Sequence, residues 1–167
     1  TIRVLGLDPL RKPLSVKRRV GYLPDQIGFY DHLSAEENLA YSARLAGLAS
    51  AEASRRISEA LARVRLSDVR GKRVAAFSRG MRQRLGLAEV LAKGSEIAIL
   101  DEPTSGLDPQ STHELLDVIR ELAADGVTIV LSSHLLAMMQ SLCDRVALFS
   151  RGRIGLIGKV ADLTADV

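Results

Sequence analysis

Residues 97–108 read Ile-Ala-Ile-Leu-Asp-Glu-Pro-Thr-Ser-Gly-Leu-Asp. Four apolar residues run straight into Asp101 and Glu102. A short apolar run closed by turn residues is the pattern of a buried parallel strand. Open α/β sheets bind ligands outside the carboxyl ends of their strands, so two carboxylates there mark a candidate site. An aspartate in that place suits Mg²⁺ on a nucleotide's phosphates. A glutamate beside it suits taking a proton from an attacking water.

Working outward, Asp108 has N-cap chemistry and Pro109 suits a first helical position. Leu115, Ile119 and Leu122 then recur at helical spacing up to Asp125-Gly126, a stop signal. The apolar run 127–131 follows. Strand, helix and strand within about thirty residues make a βαβ unit, which implies a parallel sheet. Two more strands are expected over residues 1–5 and 20–23, both with β-branched residues. Residues 145–149 and 153–157, around Ser150-Arg151-Gly152, read as a hairpin. The carboxyl end, 161–167, reads as the start of a helix.

The middle of the chain has a different texture. Ser34-Ala35-Glu36-Glu37 is a capping box opening a helix toward Ala46-Gly47. A second helix is expected over about 51–65, with Ile57, Leu61 and Val64 on one face. No strand pattern occurs in 34–71, so this stretch reads as a helical subdomain inserted into an α/β core. Farther on, Ser78 offers another N-cap, and Gly80 lets backbone come close to a ligand. Helix N-termini attract anions through free N–H groups and the helix dipole. Leu85, Ala88 and Leu91 give the following helix its core face.

Composition bounds the rest. The 167 residues, with 47% hydrophobic and 26% charged, suit one globular domain with a real core. The longest apolar runs, such as residues 135–139, fall far short of the roughly 18 residues of a membrane span. Residues 1–5 read as strand rather than as a secretory leader. Cys143 is the only cysteine, so no internal disulfide forms and a reducing compartment is expected. The net charge of +3 is mild. Its one dense basic cluster, Arg11, Lys12, Lys17, Arg18 and Arg19, lacks nearby aromatics and reads as a solvated face, with no nucleic acid expected.

Four motifs in order resemble those of ABC-type ATPases. Leu100-Asp101-Glu102-Pro103-Thr104 with Ser105-Gly106-Leu107-Asp108 resembles the Walker B and D-loop. Residues 77–84, Phe-Ser-Arg-Gly-Met-Arg-Gln-Arg, look like the ABC signature. Ser132-Ser133-His134 looks like the switch histidine, and residues 20–26, Val-Gly-Tyr-Leu-Pro-Asp-Gln, like the opening of the Q-loop. The resemblance spans about residues 1–160. It implies a P-loop NTPase-type (RecA-like) α/β fold with a parallel-sheet core over 1–33 and 93–167 and a helical subdomain over 34–92. It implies ATP and Mg²⁺ as cofactors, with Asp101 holding the metal through a water and Glu102 activating the hydrolytic water. By the same resemblance, Ser78 and Gly80 touch the γ-phosphate of ATP held by an opposite subunit. His134 hydrogen-bonds that phosphate, and Asp108 faces across the dimer or caps its helix. The signature departs from Leu-Ser-Gly-Gly-Gln at Phe77, Arg79 and Met81. The Q-loop has Asp25 where glutamine is usual, so Asp25 or Gln26 takes its role, and Phe29 and Tyr30 are candidate contacts to a membrane subunit.

The implied activity is ATP binding and hydrolysis powering an ABC transporter through closure of two subunits on two Mg-ATP. The implied partners are a permease subunit and a second nucleotide-binding subunit, the same or different, on the inner face of the cell membrane. The wording of the motifs looks most like the ABC-2 and multidrug exporter branch. Two rival readings are a soluble ABC ATPase of translation or DNA repair and a non-catalytic pseudo-ATPase partner. A P-loop needs Gly-x-x-x-x-Gly-Lys-Ser/Thr, and none of the five lysines fits it. The chain is therefore expected to begin after that unit, to bind Mg-ATP weakly, and to leave apolar sheet surface and strand edges uncovered.

Overall fold

The computed structural model describes residues 2–160, apart from the side chains of Leu136 and Ala137. The helix expected over 161–167 lies outside the described residues. The chain divides into two compact units, Thr1–Ser132 and Ser133–Val167.

The first unit is built on a parallel three-stranded sheet in the order β1-β2-β3. Its strands are β1 (Val20–Leu23), β2 (Ile97–Asp101) and β3 (Thr128–Ser132). Leu23 stands beside Leu100 and Leu100 beside Leu131, so the carboxyl ends of all three strands are level. The strand expected over 1–5 does not form. Val4 and Leu7 instead exchange two 2.9 Å backbone hydrogen bonds across Leu5 and Gly6. Both turn residues have positive φ, 51° and 76°, the pattern of a tight type I′ turn. Val4 therefore spends its backbone groups on Leu7 rather than on a sheet ladder. A short helix, α1 (Pro13–Arg19), follows, with proline in its first turn and Lys17, Arg18 and Arg19 in its last, each at its favoured end. It buries no residue, and Arg19 pairs with Glu96 at 2.5 Å. The basic cluster is thus a solvated face, as expected.

The helical stretch comprises α2 (Ala35–Leu45), α3 (Ser50–Arg63) and α4 (Arg79–Lys93). The Ser34–Glu37 capping box opens α2 in both directions. Two single turns of 3-10 helix, Ser67–Val69 and Val74–Ala76, lead into α4. Helix α4 packs against α2 and α3 and also against β1. Its approach to the sheet is close: a methyl group on Gly86 would sit 2.2 Å from Leu23 Cδ1. Ile57, Leu61 and Val64 are buried together with Leu85 and Ala88. Each fully buried leucine or isoleucine stabilises the fold by roughly 1.5–3 kcal/mol. Helix α5 (Pro109–Ala124) crosses from β2 to β3 and buries Leu115, Ile119 and Leu122.

Alternation in the strands buries Leu23, Ala98 and Leu100 on one side. On the other side Tyr22, Ile99 and Val130 stand in register across the three strands. They are 59%, 39% and 53% exposed, an open apolar row.

The second unit holds α6 (Leu136–Leu142) and the antiparallel hairpin β4 (Arg145–Ser150) and β5 (Arg153–Lys159). Arg151 and Gly152, both at positive φ, make its turn. No helix among the described residues is long and apolar enough to cross a membrane.

Candidate functional site

The site begins where β2 ends. Asp101 is the last residue of the strand and lies directly opposite Ser132, the last residue of β3. Ser132 Oγ donates to Asp101 Oδ1 at 2.6 Å. Tyr22 reaches over from β1, its hydroxyl 3.4 Å from Asp101 Oδ2, beyond the usual O–H···O range. The chain then turns sharply at Glu102, whose φ is 43°. A left-handed conformation in a non-glycine residue costs about 1–3 kcal/mol and collects at functional sites. The Glu102 N–H donates to Ser132 Oγ at 3.0 Å. Pro103 and Thr104 are buried behind it, and Ser105 N–H closes the turn on Glu102 O at 3.0 Å.

Among the described residues no group of three or more His, Cys, Asp or Glu could cage a metal. A single half-buried carboxylate at a strand end instead fits Mg²⁺ that arrives on phosphates. Mg²⁺ keeps several waters and takes one or two protein carboxylates.

The start of α4 forms a second element. Ser78 caps the helix, its Oγ accepting the Met81 N–H at 3.1 Å. Gly80 is buried, and what comes close to it within this chain is α5. A methyl group there would lie 2.7 Å from Ser111 Oγ and 2.8 Å from Ser111 Cβ. Within this chain, then, Gly80 has a packing reason that sequence reasoning did not supply, separate from the expected ligand approach. Ser111 in turn ties down Asp108, donating from its N–H at 2.9 Å and its hydroxyl at 2.6 Å. Those bonds hold the Asp108 carboxyl below the usual aspartate range. Asp108 is the N-cap of α5.

Arg79 links two loops. Its guanidinium donates to Asp25 Oδ1 at 3.2 Å and lies against Gly106, where a methyl group would come within 3.1 Å of Arg79 Cζ. Gln26 next to Asp25 is exposed. The loop after β1 is anchored by buried Asn38. Its amide accepts from Tyr30 N–H at 2.9 Å and donates to Tyr30 O at 3.1 Å. Phe29 is half-buried, and the Tyr30 ring meets Tyr41 edge-on at 5.2 Å. His134 is exposed, two residues beyond β3, and belongs to the second unit. The structure therefore gathers Asp101 and Glu102 at one strand end, and Ser78, Gly80 and Asp108 around the start of α4 and α5. It places Asp25 against Arg79.

The family model of the ABC transporter matches residues 2–105. This chain belongs to the ABC transporter ATP-binding family. It is 37% identical over 163 residues to ABC transporter ATP-binding protein NatA of Bacillus subtilis (strain 168), covering 97% of this chain and 66% of NatA. It is 36% identical over 165 residues to daunorubicin resistance ATP-binding protein DrrA3 of Streptomyces coeruleorubidus, covering 99% of this chain and 52% of DrrA3. A solved ATP-binding subunit of an ABC transporter superposes with a TM-score of 0.84 at 32% identity. That match covers 99% of this chain and 69% of the other. The chain spans about half to two thirds of the length of these curated relatives.

Within this ABC domain four residues near the motifs escaped sequence reasoning: Ser132, Tyr22, Asn38 and Ser111. Strand parity was the available signal for the first two. Asp101 stands opposite Ser132, and Tyr22 stands opposite Ile99, one pleat repeat below Asp101. Both follow from the register of parallel strands, which depends on how the crossover packs.

Proposed function

We propose that this ABC domain is the ATP-binding and ATP-hydrolysing part of a transporter subunit, working by closure of two such subunits on two Mg-ATP. The observation that carries the reading is the Asp101–Glu102 pair at the carboxyl end of the central parallel strand. Asp101 would hold Mg²⁺ through a water. The metal, when bound, supplies charge neutralisation on the phosphates. Glu102 orients the attacking water and takes its proton. Ser78 and the N–H groups of the first turn of α4 offer an anion site for the γ-phosphate of the opposite subunit's ATP. Asp108 faces that subunit while capping α5, and His134 steadies the phosphate. Arg79 meets one oxygen of Asp25 at 3.2 Å, which favours Gln26 over Asp25 for the Q-loop role. Residues 1–33 and 93–167 form the core of the working domain, and 34–92 its helical subdomain.

The relatives' names, a resistance ATP-binding protein and a methionine import ATP-binding protein among them, support transport over translation or repair, and the exporter branch rests on the wording of the motifs alone. The membrane permease component would be met through Phe29 and Tyr30, with this domain on the inner face of the cell membrane. The 167 residues contain no P-loop lysine. This chain by itself therefore binds Mg-ATP weakly and turns over none. Turnover above background that disappears in Glu102→Gln would sink that statement.

The test of closure uses a subunit that joins these residues to a Gly-Lys-Ser/Thr loop. Its Glu102→Gln variant is expected to dimerise on adding Mg-ATP, and Ser78→Glu to abolish the dimer. A species that stays monomeric at saturating Mg-ATP contradicts the shared site.

A further inference from the structure

We propose that Ser132 is a positioning residue of this site, its one hydroxyl setting both Asp101 and Glu102. The inference rests on the reading of those two carboxylates given above. Ser132 lies opposite Asp101 at the last rung of the β2–β3 ladder. Its O–H donates to Asp101 Oδ1 at 2.6 Å, and its oxygen accepts the Glu102 N–H at 3.0 Å. A hydroxyl carries one donor and two acceptor lone pairs, an ionised carboxylate only accepts, and a backbone N–H only donates. The two bonds therefore have one consistent direction, and among side chains of this size only threonine repeats it.

Each bond has its own consequence. The first fixes the rotation of the Asp101 carboxylate. Oδ1 is engaged by Ser132, while among the described residues Oδ2 has the 3.4 Å approach of Tyr22. Oδ2 is then the oxygen presented to a metal or its hydration water. The second bond holds Glu102 at the point where its backbone leaves the strand with φ 43°. Without an acceptor at that place, an extended backbone becomes the better conformation for Glu102, and its side chain is re-aimed. Outer partners of this kind typically change metal affinity or activity by about 10–100-fold when removed.

The experiment compares Ser132→Ala, Ser132→Thr and Glu102→Gln in the subunit that carries the phosphate loop. Ser132→Ala is expected to lower kcat by about 10–100-fold and to raise half-saturating Mg²⁺ for ATP binding by a similar factor. ATP binding in EDTA stays unchanged. Ser132→Thr restores most of both. The Glu102 amide, read by NMR hydrogen exchange without nucleotide, loses protection in the alanine variant and keeps it in the threonine variant. The proposal is overturned if Ser132→Ala leaves the Mg²⁺ requirement and that protection untouched. It is also overturned if threonine fails to rescue while both variants merely melt earlier. Persistent turnover in Glu102→Gln would reject the base assignment instead, and leaves the Mg²⁺ and amide readouts to decide on Ser132.

Discussion

At the scale of single residues, Glu102 combines a carboxylate with a backbone conformation that glycine adopts at little cost. Glu102→Gly is expected to raise the unfolding free energy by about 1 kcal/mol while removing hydrolysis. Urea denaturation checks the first part, and a loss of stability would show that the Glu102 side chain outweighs the strain. Asp108 offers a test in pH. Its carboxyl titrates below the ordinary aspartate range because of the two bonds from Ser111. A depressed pKa stabilises above the unfolded value of about 3.9, and that contribution is lost as pH falls through the folded pKa. Asn caps helices about as well as Asp and does not titrate. The denaturation midpoint of the native chain should therefore fall relative to Asp108→Asn in this acid range, and equal slopes in both chains contradict the account.

Among elements, the contact of α4 with α5 places the signature-like helix start. Gly80→Ala pushes a methyl group into Ser111 and is expected to destabilise by about 1–3 kcal/mol. Ser111→Gly in the same chain should recover part of that loss, read by thermal melting; no recovery would separate Gly80 from Ser111. The helices themselves were legible because their ends carry chemistry. Ser34 with Glu37, Ser78, and Asp108 with Pro109 all cap or open helices where expected. The parallel strands were legible as apolar runs. Residues 2–7 were not, since a β-branched run beside glycine serves a strand or a tight turn equally and only pairing decides. Helix α1 escaped because its seven residues bury nothing, leaving no apolar period to detect. Ser132 was quoted in a motif but had no assigned partner, because one residue of register would move its side chain to the other face of the sheet.

For the whole molecule, the proposed closure of two subunits would make this site one half of a shared machine. Its strand-end carboxylates are in place, its helix start is capped, and an apolar row of Tyr22, Ile99 and Val130 lies open on the sheet. Open apolar rows of this kind promote association. This chain alone is expected to bind a hydrophobic dye and to self-associate with rising concentration. Tyr22→Thr with Val130→Thr should reduce both, as judged by light scattering. Whether β2 delivers a metal-holding aspartate and a water-activating glutamate to ATP is read from phosphate release. The measurement is turnover of Mg-ATP by a subunit carrying these residues and a phosphate loop, beside its Glu102→Gln variant, with nucleotide binding measured in both. Binding is expected to stay intact and turnover to fall by about 100-fold or more in the variant. Equal turnover in the two proteins would contradict that role of Glu102.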